Sequence, residues 1–238
     1  LEIPEEFPLT DSQAKYVETI HTGEILIDDE NIQSELDGLI YPIHFMDFET
    51  YNYSLPIVAR TGPWEQVPFQ WSIHHLEQNG ELTHDEYLFS KSLDGYDIRK
   101  EFLDTLLDKL EHDEGSIVVY NASFEKMVLN NLGKRFPDYE DRIKTIIGRI
   151  WDLEIIFKRY HLDPRFLGRT SLKVIVPTLL TECDYESLNV SNGVDATKAW
   201  SDMITLLQNF DGADGSNDMT KILKYSFDLL AYCAMDTL

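Results

Sequence analysis

Residues 43–50 read Ile-His-Phe-Met-Asp-Phe-Glu-Thr and constrain this chain more than any other stretch. A short apolar run of this kind, about the length of one strand, predicts a buried β-strand. Side chains two apart on a strand point the same way, so Asp47 and Glu49 share a face. Two carboxylates projecting together from the end of a core strand repel each other unless a cation lies between them. Taken alone, the pair also fits a solvated strand edge. What decides is whether other acids arrive at the same place.

Composition narrows the setting. The chain has 238 residues, of which 43% are hydrophobic and 12% aromatic, enough for a packed globular core. No run approaches the roughly 20 apolar residues that cross a bilayer. The start, Leu-Glu-Ile-Pro-Glu-Glu, is acidic and unlike a secretion signal. Two cysteines, Cys183 and Cys233, make no disulfide framework and suit reduced thiols in the cytoplasm. A net charge of −23 argues against broad binding to nucleic acid through many Lys and Arg contacts. It leaves room for an enzyme that holds a few nucleotides through metal ions. The chain starts without methionine and stops at Leu238 in mid-pattern, which reads as an excerpt of a larger multidomain protein with its last helix cut short.

Residues 1–40 read as a lead-in segment or linker with a helix or two, and 41–238 as one domain. After the first strand, 51–68 is rich in turn residues. Residues 69–74 alternate as a strand, and Asn79-Gly80 signals a hairpin of the kind in which both central residues take positive φ. The returning strand falls near 82–89, giving an antiparallel meander. Apolar residues at Ile98, Phe102, Leu103, Leu106, Leu107 and Leu110 predict a helix within 96–110. The β-branched run at 116–120 is a further strand, reached by a crossover and therefore paired parallel. Helices are expected from Ala122, over 139–147 and from Trp151. The stretch 171–180 is amphipathic and stopped or kinked by Pro177. Residues 211–218 read as a loop, and the final helix starts near Met219.

Three spacings bear on chemistry. Asp47-x-Glu49 lies on the first strand. Glu125 falls one turn into the helix after Tyr120-Asn121. Tyr232 and Asp236, four apart, share a face of the last helix. Asp236 follows the apolar Leu229, Leu230 and Ala231, where an unpaired acid is costly.

In order and separation, these segments resemble the three motifs of the DEDD exonuclease superfamily, in its tyrosine-bearing branch. Asp47-Phe48-Glu49-Thr50 looks like the first motif, Asp-x-Glu-Thr. Tyr120-Asn121-Ala122-Ser123-Phe124-Glu125 looks like the second, usually His-Asn-Ala-x-Phe-Asp, and Tyr232-x-x-x-Asp236 like the third. Asp152-Leu153 and Ser171-Leu172-Lys173 fit as supporting segments. The runs at 68–74 and 123–126 look closest to an uncharacterised bacterial family of predicted exonucleases within that superfamily. The chain departs from the pattern at Glu125, where aspartate is usual, and at Tyr120, where histidine is frequent.

The resemblance implies a ribonuclease H-like α/β fold. Its mixed sheet has strands 1–3 antiparallel, then parallel pairing, with flanking helices. It also implies a 3′–5′ exonuclease acting on single-stranded DNA or RNA with two Mg²⁺ or Mn²⁺ ions. Asp47 would bridge both ions, Glu49 and Asp236 would bind one, Glu125 would hold the other, and Tyr232 would orient the attacking water. Phe48, Thr50, Asn121, Phe124 and Lys173 are candidate substrate contacts. Plainer roles stand beside these: Phe48 and Phe124 as core, Asn121 as the cap of the Glu125 helix, Asp152 as a helix cap, Lys173 as a solvated lysine. His44, His74, His75 and His84 suit the surface or strand packing. Two rival functions remain. One is a nucleic-acid-end binding module with weak or no turnover, and the other is an interaction domain of a larger nuclease-type protein.

Overall fold

The structure, a computed structural model, describes residues 4, 7–180, 188–210 and 215–238, excepting the side chains of 215 and 216. In chain order the elements are α1 (Asp11–Thr22), β1 (Leu26–Ile27), α2 (Asp29–Asp37), β2 (Ile43–Tyr51), β3 (Val67–Leu76), β4 (Leu82–Leu88), α3 (Ile98–Leu110), β5 (Ile117–Val119), α4 (Ala122–Arg135), α5 (Glu140–Arg149), β6 (Ile150–Asp152), α6 (Glu154–Arg159), β7 (His161–Leu162), α7 (Leu172–Leu179), α8 (Gly193–Asn209) and α9 (Gly215–Thr237). The chain divides into two units, Leu1–Leu39 with Asp152–Cys183, and Ile40–Trp151 with Asp184–Leu238. Residues 152–183 therefore group with the N-terminal segment rather than with the rest of 41–238.

In the smaller unit, α1 opens on a reciprocal cap in which Thr10 and Gln13 satisfy each other's backbone amides. Strand β1 pairs antiparallel with β7, so Leu26 faces Leu162. Asp163 is fully buried and fastens Arg165 through both carboxylate oxygens. Helix α7 runs through Pro177 to Leu179, two residues beyond the expected stop.

Among the described residues, the larger unit carries a five-stranded mixed sheet in the order β4-β3-β2-β5-β6. Strands β2, β3 and β4 form the antiparallel meander, and β5 pairs parallel with β2. The meander turns over Glu77–Glu81, where only Gly80 takes positive φ (87°). Asn79 does not, so the turn is not the doubly left-handed type expected from Asn-Gly. Instead the Asn79 side chain accepts a hydrogen bond from the Glu81 amide at 2.8 Å.

The core lies on one face of the sheet. Met46, Phe48, Trp71 and Ile73 pack there against Phe102, Leu103 and Leu106 of α3, Val128 and Leu129 of α4, and Ile146 of α5. The opposite face of β2 and β3 receives α9. Helix α8 packs against the end of these strands through Trp200, whose ring stacks on Phe69 at 4.6 Å. The periodicity reading passed over α8, because Asn192-Gly193 looks like a turn and its buried stripe relies on Ala196 and Ala199. Helix α9 starts at Gly215, inside the segment expected as a loop, whose first four residues lie outside those described. Cys183 also lies outside them; Cys233 is a buried free thiol. No helix among the described residues is long and apolar enough to cross a membrane.

Candidate metal centre

The period of two along β2 sorts its side chains. Met46 and Phe48 enter the core at 2% exposure, while Asp47 and Glu49 stand on the face that α9 covers. On that same face, β3 sets Gln70 opposite Glu49, Ser72 opposite Asp47 and His74 opposite Phe45. Each of these three β3 side chains reaches α9. Gln70 donates to the Leu229 carbonyl at 2.7 Å, and Ser72 Oγ and His74 Nδ1 both lie 2.8 Å from Thr237 Oγ1. A polar ladder thus fixes α9 over the two acids.

That fastening brings Asp236 in. One carboxylate oxygen from each of Asp47, Glu49 and Asp236 lies within 4.8 Å of the others. An octahedral Mg²⁺ or Mn²⁺ with ligands at about 2.1 Å accepts oxygens about 3.0 Å apart as neighbours and about 4.2 Å apart across the ion. Hard oxygen donors without histidine or thiolate ligands suit these ions over zinc or copper. So these three residues could hold a metal ion. The Asp47 carboxyl is pushed well above the ordinary range by burial, then by the charges of Asp236, Glu49 and Glu125.

Glu125 is 3% exposed in the first turn of α4. Its charge acts on Asp47, although it is not one of the three acids that meet within 4.8 Å. Tyr232 is buried beside the acids. Burial first, then Glu49, Asp236 and Asp47, push its hydroxyl far above the usual phenol range. It therefore stays protonated. The Cys233 thiol, also raised by burial, lies 3.9 Å from Asp47 Oδ2. The first turn of α8 lies close to Glu49, since a Cβ built at Gly193 would sit 3.6 Å from Glu49 Oε2. The amide end of a helix favours a nearby carboxylate.

A family model for a domain of unknown function, DUF2779, matches residues 44–171, more than half of the chain. The chain belongs to the DUF2779 family. No curated protein and no solved structure matches it. The DUF2779 match takes in Asp47, Glu49 and Glu125 and ends before Tyr232 and Asp236.

Several expected substrate contacts, all but Lys173 within the DUF2779 segment, make contacts inside the protein. Phe48 is buried in the core, edge-on to Phe102 at 5.7 Å, and is not available to stack a base. Phe124 packs against that core beside Phe48. The Thr50 hydroxyl donates to Gln66 Oε1 at 2.6 Å. Asn121 sits at the N-cap position of α4, but its side chain makes no capping bond. Its φ is 67°, and its Oδ1 accepts from the Ser123 hydroxyl at 2.6 Å. The N-cap of α6 is Leu153 rather than Asp152, which stands one residue earlier and accepts from the Glu154 amide at 3.1 Å. Lys173 lies on α7, in the smaller unit. The four histidines pack between strands. His44 Nδ1 lies 2.7 Å from His75 Nδ1, His74 stacks on His84 at 4.2 Å, and burial lowers His74 to about 4.

Gln70, Ser72 and Thr237 went unnoticed in the sequence. The signal was present for the first two: polar residues at alternate positions of an otherwise apolar strand need partners across the sheet face.

Proposed function

We propose that this protein is a metal-dependent 3′–5′ exonuclease that hydrolyses phosphodiester bonds at single-stranded nucleic-acid ends. The observation that carries the reading is the meeting of Asp47, Glu49 and Asp236, two strand positions and a helix position far apart in the chain. We also read the fold as ribonuclease H-like, a reading supported by the antiparallel meander followed by parallel pairing of β5 on β2.

Mg²⁺ or Mn²⁺, when bound, supplies charge neutralisation at the scissile phosphate and a water of lowered pKa. Asp47, Glu49 and Asp236 are the residues that would hold it, and Glu125 is the candidate for a second ion. Tyr232 keeps its proton, so its role is to donate a hydrogen bond that orients the attacking water. It is not a general base. Tyr232 is buried and the three acids are half-buried, which weakens the screening of these charges by bulk water.

The test is degradation of 5′-labelled and 3′-labelled single-stranded DNA and RNA with Mg²⁺ or Mn²⁺, beside Asp47→Ala. The expected result is stepwise shortening from the 3′ end by the wild type only. No shortening, or equal shortening by Asp47→Ala, refutes the reading.

One observation favours a second reading, a nucleic-acid-end binding module with weak turnover. Glu125 stands outside the group of three, although its charge acts on Asp47. Oligonucleotide binding without cleavage in Mn²⁺ selects that reading.

A further inference from the structure

The loop between β2 and β3 holds two non-glycine residues, Arg60 and Trp64, in the left-handed region, each at φ 61°. For a bulky side chain such as Trp that conformation is an outlier, kept only where the surroundings dictate it. Here the surroundings are the guanidinium of Arg99, 2% exposed. It donates to the Arg60 carbonyl at 3.1 Å, to the Glu65 carboxylate, and to both oxygens of Asp97, the N-cap of α3, at 2.7 and 2.9 Å. One buried arginine thus staples the loop to the start of α3. The Trp64 amide donates to the Tyr53 carbonyl at 3.0 Å. The strained backbone presents side chains outward: Trp64 is 66% exposed, and no hydrogen bond or ion pair engages the Arg60 guanidinium among the described residues.

Beside this loop lies a cavity of about 450 Å³ lined by Arg60, Tyr96, Asp97, Lys100, Arg135 and Phe136. Three cations and two aromatic rings share it with one acid, Asp97, which holds Arg99 and reaches Arg135 at 3.5 Å, while Lys100 pairs with Asp104 at 2.8 Å, so Arg60 is the lining cation that no acid engages among the described residues. With Arg99 and the acids Glu65, Asp97 and Asp104 included, four cations meet three acids, a small positive excess in a chain of net charge −23. Arg135 in the last turn of α4 also answers the dipole of that helix, but no such cause accounts for Arg60. Cations that track phosphates, interleaved with rings on which bases stack, make the pattern that grips single strands without reading sequence. The cavity sits at the far end of the helix whose first turn carries Glu125. Ten residues at 1.5 Å each separate Glu125 from Arg135, about 15 Å, the span of about four stacked nucleotides.

We propose that the Arg60–Trp64 loop and the Arg60, Lys100, Arg135 cavity form a second contact for a single-stranded nucleic acid, holding phosphates and bases several nucleotides from the acids at Asp47. The inference rests on the exonuclease reading for its substrate class.

The test is anisotropy of a fluorescein-labelled ten-nucleotide single strand, oligothymidylate and oligouridylate in parallel, with Ca²⁺ in place of Mn²⁺. The doubly reversed variant Arg60→Glu with Arg135→Glu should bind about tenfold more weakly, with a shallower dependence on salt. Trp64→Ala should bind about fivefold more weakly at every salt concentration. Lys144→Glu, an exposed cation on α5 outside the cavity, should change binding by less than twofold. Wild-type affinity in both loop variants overturns the proposal, and so does displacement of the oligonucleotide by polyglutamate as readily as by unlabelled oligonucleotide. Cleavage by the wild type in Mn²⁺ is scored separately. Its absence removes the exonuclease reading while the binding ratios still decide this one.

Discussion

Thr237 Oγ1 lies 2.8 Å from Ser72 Oγ, and so joins the last turn of α9 to the strand position directly opposite Asp47. One consistent proton assignment satisfies the whole group. His84 Nε2–H donates to Ser72, Ser72 and His74 Nδ1–H donate to Thr237, and Thr237 donates to the Ala234 carbonyl at 3.1 Å. The chain neighbour of Thr237 is Asp236. Thr237→Val keeps the volume and removes these bonds, leaving the buried Ser72 and His74 groups unmatched. The expected cost is about 1–3 kcal/mol of stability, read as a lowered denaturation midpoint. Mn²⁺ affinity by calorimetry should fall about tenfold as Asp236 loosens. Thr237→Ser should restore both. A valine variant with unchanged Mn²⁺ affinity shows that the ladder does not position Asp236.

The acids predict an unusual dependence of stability on pH when divalent ions are removed. Asp47 has a folded pKa raised above its unfolded value near 3.9. Below that unfolded value both states carry the proton and the stability linked to Asp47 is fully present. As pH rises through the folded value, the unfolded chain ionises more readily and that stability is lost, by up to about 1.4 kcal/mol per pH unit over the affected window. In EDTA the melting temperature should therefore fall from pH 4 toward neutrality more steeply for the wild type than for Asp47→Asn. Mn²⁺ should remove the wild-type decline, because the ion replaces the proton. Parallel wild-type and Asp47→Asn curves in EDTA contradict the repulsion.

How much of this was legible in the sequence depends on the kind of signal. The meander, α3 and the β2 acids were readable because alternation and helical spacing are local. The pairing of Asp236 with Asp47 was reached only by matching three short motifs to a known pattern. Nothing local says that α9 crosses β2. Helix α8 was missed because its buried face opens on Ala196 and Ala199, and the larger Trp200, Met203 and Ile204 come only in its second half. Phe48 read first as core and only second as a stacking platform, and its contacts with Phe102 and Phe124 agree with the core. The Arg99 staple was invisible because its partners Arg60, Glu65 and Asp97 come from two separate loops.

Arg99 offers a stability prediction independent of any activity. Its guanidinium is buried and spends its donors on Asp97, Glu65 and the Arg60 carbonyl. Burial alone would disfavour its charge, but the paired acids Asp97 and Glu65 raise its pKa above the ordinary value, and against the opposing effect of burial Arg99 in turn lowers that of Asp97. Arg99→Ala leaves the Asp97 carboxylate short of its partner and should cost about 3–5 kcal/mol. Arg99→Lys keeps the charge but not the planar fork, and should recover less than half of that loss. Chemical denaturation checks both. The alanine variant should also expose the 60–65 loop to limited proteolysis. A lysine variant as stable as the wild type removes the argument from geometry.

Glu125 decides how many carboxylates the site uses. It is 3% exposed and close enough for its charge to raise Asp47. If that charge is there to meet an ion, removing it should help the metal-free protein and harm the metal-bound one. Glu125→Gln keeps the shape and should raise the melting temperature in EDTA at neutral pH, since one of three repelling neighbours of Asp47 is gone. The same variant should bind Mn²⁺ about tenfold more weakly. Glu125→Asp keeps the charge but gives up a buried methylene, a loss of about 1 kcal/mol in stability, and moves the carboxylate back toward the helix. Comparing Mn²⁺ titrations of the two variants separates charge from reach. A glutamine variant that binds Mn²⁺ as tightly as the wild type excludes Glu125 from the ligand set and leaves Asp47, Glu49 and Asp236 to act alone.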